Sequence, residues 1–203
     1  MKNNKSQLFQ DIFALTTSSN KTYIEVGAWH PIKYSNTYLL EQEGWNGFSL
    51  EINQAKKPFW DDCNERKNKI YWHNALDFDY TSALQENNMP LRVGYLSCDI
   101  EPPINTVSAL QRIIEQGISF DCITFEHDKY QSDIDYDPIV TKYLEERGYK
   151  IAVKDVYRNR KYRLTNKKKK DIRRCYMETW YVNNDIDFNS TTFDLWKDLN
   201  IKN

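Results

Sequence analysis

Acidic side chains stand where several apolar runs of this chain stop. If those runs are strands of an open α/β sheet, a ligand binds beyond their carboxyl ends and these side chains can reach it. A carboxylate there can accept hydrogen bonds from hydroxyl groups, hold a cationic group or take up a proton. The residues are Glu25, Glu51, Asp99 and Glu126, with His127 directly after the last of them.

The first run turns into a loop at Gly27, and no second or third glycine follows at the spacing of a dinucleotide-binding fingerprint. Gly27 allows the backbone to approach a ligand closely, but the missing glycines count against NAD and a Rossmann oxidoreductase. Glu51 lies 24 residues after Gly27, near the separation at which an acid holds ribose hydroxyl groups. From spacing alone, ribose binding and plain solvation of Glu51 are equally open.

Alternating strand and helix patterns position these residues. Apolar, β-branched and aromatic runs predict strands over residues 23–28, 47–51, 69–74, 93–99 and 121–126. Helical patterns cover residues 7–15, 35–43, 105–116 and 138–147. Strands that alternate with helices imply a mostly parallel sheet with helices on both faces.

The pattern changes after Gly148, where residues 149–157 and 176–183 are strand-like with no helical pattern between them. An antiparallel hairpin after five parallel strands makes a seven-stranded sheet, the plan of the Rossmann-like class I methyltransferase fold. We therefore predict one α/β domain over residues 1–203. Its parts are an N-terminal helical region at 7–21, a core at 22–183 and a tail at 184–203 with a short helix at 191–199.

Composition limits the class of protein. With 203 residues and 40% hydrophobic content, the chain can bury one sizeable core, and no run is long enough to span a bilayer. The N-terminus lacks a signal-peptide pattern, and the four cysteines lack zinc or disulfide spacing, so we expect a cytoplasmic protein.

Charge is distributed unevenly. Residues 154–174 contain eleven basic and two acidic residues, a net charge of +9. Because the whole chain has a net charge of −1, the rest of it carries −10. This basic segment could bind RNA phosphates, an anionic glycan or a membrane surface. A solvated loop is the favoured interpretation.

The run EVGAWHPIKYSNTYLLEQEGWNGFSLEIN, residues 25–53, resembles the FkbM-type S-adenosylmethionine-dependent methyltransferases. That family shares the acid-x-Gly-Ala opening, the Ser-Asn-Thr helix start, the Gly-Trp-x-Gly turn and the acidic end of the second strand. The later segments LSCDIE, FDCITFEHD and ETWYV are similar to its Asp-Ile-Glu strand end, fifth strand and closing strand. The resemblance covers roughly residues 7–183 and departs at Pro102-Pro103, where the family often has glycine.

The resemblance implies methyl transfer from S-adenosylmethionine, with O-methylation of a sugar or glycan-like hydroxyl acceptor as the expected reaction. It places the amino-acid end of the cofactor near the first loop, the ribose at Glu51 and the adenine after the third strand. A plain turn is the alternative role for Asp77. The implied cofactor-binding residues are Glu25, Gly27, Ala28, Ser35, Asn36, Glu51, Asn74, Ala75 and Asp77.

The acceptor side is expected at Asp99, Glu126 and His127. His127 has the ordinary pKa of a base that deprotonates a hydroxyl group, and Asp99 could hold an ammonium group, orient an acceptor or bind a metal ion. Carboxylates at adjacent strand ends are common without metal, so Mg²⁺ is the minority alternative. A nucleic-acid methyltransferase or binder that uses the basic segment is the alternative function. His30 could orient its loop or touch substrate, and His73 is expected to be structural.

Overall fold

The structure is a computed structural model that describes residues 4–163, 170–190 and 193. Side chains are described for these residues except those between 159 and 174. Seven strands form one sheet in the order β3-β2-β1-β4-β5-β7-β6. The first five run parallel, and β7 lies antiparallel between β5 and β6. The predicted sheet with its closing antiparallel hairpin is confirmed. The strands are β1 Thr22–Val26, β2 Asn46–Leu50, β3 Lys69–Tyr71, β4 Arg92–Cys98, β5 Ser119–Glu126, β6 Tyr149–Arg163 and β7 Lys170–Asn183.

Helices cover both faces of the sheet. Within the described ranges, no helix is long and apolar enough to cross a membrane. The predicted terminal helix at 191–199 falls on positions of which only residue 193 is described. The helices are α1 Gln10–Thr17, α2 Tyr38–Gln42, α3 Lys57–Asp61, α4 Tyr80–Glu86, α5 Pro103–Glu115 and α6 Asp137–Glu145.

The period-two alternation of the strands divides the apolar side chains between two cores. Ile24 and Leu96 belong to the core that also includes side chains of α4, α5 and α6. Tyr23, Tyr95 and Trp180 belong to the opposite core, with side chains of α1 and α2. Each fully buried Leu, Ile or Phe side chain contributes about 1.5–3 kcal/mol, so both faces are strongly held. Residues 23 and 25 of β1 and 95 and 97 of β4 therefore face α1 and α2.

Two elements are shorter than predicted. Strand β3 pairs only with β2, up to Leu50↔Tyr71, so residues 72–74 have no strand partner and lie in a loop. Helix α2 begins at Tyr38 because the Ser35 hydroxyl group accepts hydrogen bonds from the N–H groups of Thr37 and Tyr38, 3.3 and 3.1 Å. These local side-chain bonds compete with helical bonds over residues 35–37.

The closing hairpin is longer than predicted. Pairing of β6 with β7 runs from Tyr149↔Asn183 to Arg163↔Lys170, with irregularities between Ile151 and Tyr157. Pairing of β5 with β7 stops at Glu126↔Glu178. Beyond that point β6 and β7 form a two-stranded ribbon outside the sheet. Most of the predicted basic segment lies in this ribbon, and residues 164–169 fall outside the described chain.

Candidate functional site

A cavity of about 470 Å³ opens at the carboxyl ends of β1, β2, β3 and β4. Five predicted site residues line it: Gly27, Glu51, Asn74, Ala75 and Asp99. The sheet order brings them together, because β1 and β4 are neighbours and β2 and β3 follow on the other side. The remaining lining residues are Trp29, Leu50, Ile52, Asn53, His73, Ile100, Glu101 and Asn105.

Gly27 fixes the contact between β1 and β4 at the cavity floor. Its φ is +90°, a left-handed conformation that side chains rarely adopt. A Cβ atom at this position would lie 1.7 Å from the carbonyl oxygen of Asp99. The N–H groups of Gly27 and Ala28 both donate to the Leu50 carbonyl, at 3.0 Å. Only glycine fits here, whereas Ala28 is buried outside the cavity lining.

Glu51 is held rigidly at the cavity wall. One carboxylate oxygen accepts from the Trp29 N–H group at 2.8 Å and the other from the Asn53 N–H group at 2.7 Å. Trp29 adopts a φ of +36°, a conformation that costs energy and is concentrated at functional sites. A carboxylate oxygen has two lone pairs, so each keeps one for a further donor. Glu51 is therefore suited to bind a pair of hydroxyl groups.

Apolar side chains form the walls beside Glu51. Ile52 is 62% exposed although it is a large apolar residue, and it lines the cavity with Ala75 and Ile100. Such walls suit a flat, uncharged ring. His73 also lines the cavity, contrary to the expectation of a structural strand residue, because β3 ends at Tyr71. Its Nδ1 atom lies 3.2 Å from the Asp77 carboxylate, which places Asp77 beyond the lining at the cavity mouth.

The structure places Glu25 differently from the expected cofactor contact. Its side chain is on the face covered by α2, as the alternation of β1 requires, and it does not line the cavity. It accepts hydrogen bonds from the hydroxyl groups of Thr37 and Ser49 at 2.7 and 2.8 Å. Burial raises the pKa of Glu25, although the nearby Arg66 opposes the shift.

Arg66 stabilises this buried acid and was not predicted from the sequence. Its guanidinium group donates to Glu41 at 2.7 Å and to the Pro31 carbonyl at 2.8 Å, and it lies 3.8 Å from Glu25. Burial alone would lower the pKa of Arg66. Tyr23 and the two carboxylates outweigh this effect, so the pKa of Arg66 is raised overall. The residue lies in a loop with no periodic pattern, so no local sequence signal identifies it.

Ser35 and Asn36 also differ from their expected role at a helix start. Ser35 is buried and accepts a hydrogen bond from Arg66 at 3.0 Å, so it belongs to the Arg66 network. The Asn36 amide group donates to the Ser97 hydroxyl group at 2.9 Å. Its carbonyl oxygen is buried and receives no hydrogen bond from the described residues. Asn36 therefore keeps one open acceptor beside β4, but neither residue lines the cavity.

Five carboxyl groups gather at the ends of β4, β5 and β7, and we call them the acidic patch: Asp99, Glu101, Glu126, Asp128 and Glu178. The carboxyl group of Asp99 interacts with that of Glu126, and the carboxyl group of Glu101 with that of Asp128. Burial, reinforced by Asp99, raises the pKa of Glu126 well above its usual range. Burial also raises the pKa of Asp99 and of Asp128.

Glu178 enters the patch through the antiparallel pairing of β7 with β5, where it stands directly opposite Glu126. Like charges opposite each other destabilise a strand pair. Burial raises the pKa of Glu178 to about 8, and Asp99 and Asp128 add to the shift. Hydrogen bonds from Trp180 and Gln10 oppose it.

His127 does not join the acidic patch, and its predicted place on the acceptor side is corrected. Neighbouring residues of a strand point to opposite faces, so His127 points away from the face of Glu126. Its side chain is 0% exposed, lies outside the cavity lining and has Thr179 3.5 Å from its Nε2 atom. Burial lowers the pKa of His127, although Asp137 opposes this. Glu126 lies beside Asp99 but does not itself line the cavity.

Divalent metal binding has no support in this arrangement. Among the described residues, no three His, Cys, Asp or Glu side chains are arranged as metal ligands.

Stability is expected to fall as the pH rises from about 4.5 to about 8. The pKa of Glu178 is 4.5 when unfolded and about 8 when folded, so the folded protein binds more protons in this window. For each extra proton that the folded state holds, the free energy of unfolding falls by about 1.4 kcal/mol when the pH rises by one unit. Urea unfolding at several pH values will measure the slope.

Glu178→Gln should flatten this slope, because glutamine does not titrate. The exposed Glu145→Gln change, on α6, is the matched control and should leave the slope as in the wild type. An equal slope in the Glu178→Gln protein would show that Glu178 is ionised in the fold throughout this range.

Comparison with known proteins identifies the fold. The sequence matches no family model and no curated protein, so the FkbM resemblance stays a prediction. A precorrin-6y C5,15-methyltransferase from Geobacter metallireducens superimposes with a TM-score of 0.56 and 16% identity, over 90% of this chain and 92% of that one. A candidate tRNA (m1A22) methyltransferase from Streptococcus pneumoniae, solved with S-adenosyl-L-methionine, gives 0.54 and 10%, over 91% and 76%. Together with the strand order, these structures show that the chain has the class I methyltransferase fold.

Proposed function

We propose that the protein is an S-adenosylmethionine-dependent methyltransferase. The observation that supports this most is Glu51, fixed by two backbone N–H groups at the wall of the cavity with an open lone pair on each oxygen. Vicinal ribose hydroxyl groups are the donor pair that such a carboxylate fits. The fold puts this cavity at the carboxyl ends of the parallel strands, where ligands of open α/β sheets bind.

The lining residues fit the parts of this cofactor. Ile52, Ala75 and Ile100 offer apolar walls for the adenine ring, and Asn74 offers an amide group at the same end. Gly27 keeps the backbone close to the ligand at the other end, beside Asp99. When bound, the cofactor supplies a methyl group on a positively charged sulfur. The protein's part is to position the acceptor and remove its proton.

Asp99 is the proposed base for a hydroxyl acceptor. It lines the cavity and lies beside the carboxyl group of Glu126. A base with a raised pKa accepts a proton more readily than an ordinary carboxylate. This chemistry fits a sugar or glycan-like hydroxyl group, which is the acceptor that the FkbM resemblance implies.

A single domain over residues 1–203 and a cytoplasmic location stay predictions.

A nucleic-acid acceptor is the second candidate, favoured by the concentration of basic residues in the ribbon of β6 and β7. One similar structure is described as a candidate tRNA methyltransferase. Phosphate contacts make binding fall steeply with salt. Salt-sensitive binding of RNA by the wild-type protein, lost when Lys167 to Lys170 are replaced by alanine, would favour this candidate over the sugar acceptor.

Glu51→Ala is expected to weaken binding of S-adenosylhomocysteine by about tenfold to a hundredfold. The change removes charge-assisted hydrogen bonds to the ribose, which contribute about 1.5–3 kcal/mol. Isothermal titration calorimetry will measure the dissociation constants. The control is Glu43→Ala, an exposed residue just after α2. No binding by the wild-type protein would refute the proposed function, whereas equal binding by a folded Glu51→Ala protein would remove only Glu51 from the site.

A further inference from the structure

We infer that the acidic patch binds a protonated amine of the methyl acceptor, so that the substrate is a cationic, amine-bearing molecule. This inference rests on the proposed function and specifies its acceptor class. It follows from three features of the patch. Among the residues that the structure describes, the patch has no cationic partner, and one of its buried oxygens has no donor; the cavity also reaches it.

The side chains that the structure describes leave the patch without a balancing cation. Within the described residues, no salt bridge joins any of its five carboxyl groups to a Lys or Arg. The ammonium group of Lys129, next in sequence to Asp128, pairs instead with Asp155 at 2.7 Å. Arg66 is engaged by Glu25 and Glu41. Burial raises the pKa of these carboxyl groups, and a cation from outside would stabilise their ionised forms.

Asp128 holds an oxygen atom that lacks a donor. The residue is 4% exposed, and one of its carboxylate oxygens accepts from the Gln131 amide group at 2.8 Å. The other oxygen is buried and receives no hydrogen bond from an N–H or hydroxyl group of the described residues. Its neighbours Glu101 and Glu126 are carboxyl groups, which can bond to it only while they hold a proton. An incoming N–H group would satisfy this oxygen.

The patch and the cofactor cavity share a wall. Asp99 and Glu101 belong to both, so a molecule at the reactive end of the cavity meets the patch directly. Asp128 adopts a φ of +44°, and its N–H group and that of His127 both donate to the Met177 carbonyl, at 3.1 and 2.8 Å. This turn fixes the far side of the patch at β7. The anchoring groups are therefore held by backbone that is already ordered.

An amine fits this arrangement better than a metal ion does. A hard metal ion needs several oxygen ligands directed to one point, and the described residues offer no such set. A primary ammonium group has three N–H donors and needs only one or two carboxylates, at about 2.7–2.9 Å. An ammonium group beside these carboxyl groups would favour their ionised forms and so lower their raised pKa values. Binding should therefore release protons to the solvent.

The test uses 1,3-diaminopropane as the probe and 1,3-propanediol as its uncharged counterpart. Both are titrated at pH 7 into protein saturated with S-adenosylhomocysteine, in two buffers that differ in ionisation enthalpy. Saturation separates an acceptor amine from the ammonium group of the cofactor itself. We expect the diamine to bind with release of about one proton and the diol to give no binding.

The combined change Glu126→Gln and Asp128→Asn should weaken diamine binding by about tenfold to a hundredfold, because each lost charge-assisted bond contributes about 1.5–3 kcal/mol. Asp128→Asn alone serves if the double variant fails to fold. The control Glu145→Gln, with the same change of side chain on exposed α6, should bind as the wild type does.

Equal binding by the patch variants, equal binding of the diol, or diamine binding only in the absence of S-adenosylhomocysteine would overturn the inference. So would absence of diamine binding to the wild type. The proposed function stands in each of these cases if S-adenosylhomocysteine itself binds.

Discussion

Replacing Arg66 by methionine is expected to lower the free energy of unfolding by about 3–5 kcal/mol. Arg66 is the cation between Glu25 and Glu41, whose side chains are 3% and 6% exposed. Removing one partner of a buried ion pair leaves an uncompensated charge, which costs this amount. Methionine fills much of the same space, so the loss reports the charge more than the volume. Urea unfolding followed by circular dichroism will measure it.

The double variant Arg66→Met, Glu25→Gln tests this explanation, because it removes one stranded charge together with the arginine. It should recover part of the lost stability, whereas Arg147→Met, at an exposed position after α6, should change stability little. The loss should also deepen as the pH rises, since burial raises the pKa of Glu25 and its carboxyl group can take up a proton at lower pH. A loss below about 1 kcal/mol at pH 7 would mean that the Arg66 network stabilises the fold little.

Asp99→Asn is expected to lower kcat by about a hundredfold to ten-thousandfold on a hydroxyl acceptor. General-base assistance has this magnitude, and asparagine keeps the shape of the side chain but cannot take up a proton. Because burial raises the pKa of Asp99, the wild-type kcat should rise with pH through that raised pKa. The rise should be absent from the variant.

Binding and pH measurements distinguish a base from a structural role. The Asp99→Asn protein should bind S-adenosylhomocysteine within a few-fold of the wild type, with the loss confined to turnover. Asn105→Ala, at the cavity rim on α5, is a matched change in the lining that should leave the pH profile unshifted. A normal kcat and an unchanged pH profile in the Asp99→Asn protein would exclude it as the base.

Local sequence signals predicted one half of the candidate site. Gly27, Glu51 and Asp99 each follow a strand that is recognisable from its own composition, and parallel strands bring their carboxyl ends to one edge. The wrong placement of His127 could have been avoided from the sequence alone. Successive side chains of a strand point to opposite faces, so His127 and Glu126 cannot both face the acceptor side. The structural role of Glu25 follows from the same rule, because the neighbouring Val26 and Ile24 face the other core.

The other half depends on contacts between distant parts of the chain. Glu178 meets Glu126 only because β7 is antiparallel to β5 in one register. Arg66 reaches Glu25 across 41 positions from a loop without a periodic pattern. Neither the pairing register nor the path of a loop can be read from composition. These residues become visible only when the fold places them.

The ribbon formed by β6 and β7 has a consequence for the solubility of the protein. Before Glu178 in the chain, β7 does not pair with β5, so each strand of the ribbon has an edge that can pair with another molecule. Lys154 and Arg158 are exposed on β6, and the sequence continues with many more basic residues. Like charges along open edges oppose edge-to-edge association of identical chains. The positive charge of this segment therefore protects the protein from aggregation through its own strands, whether or not it meets an acceptor.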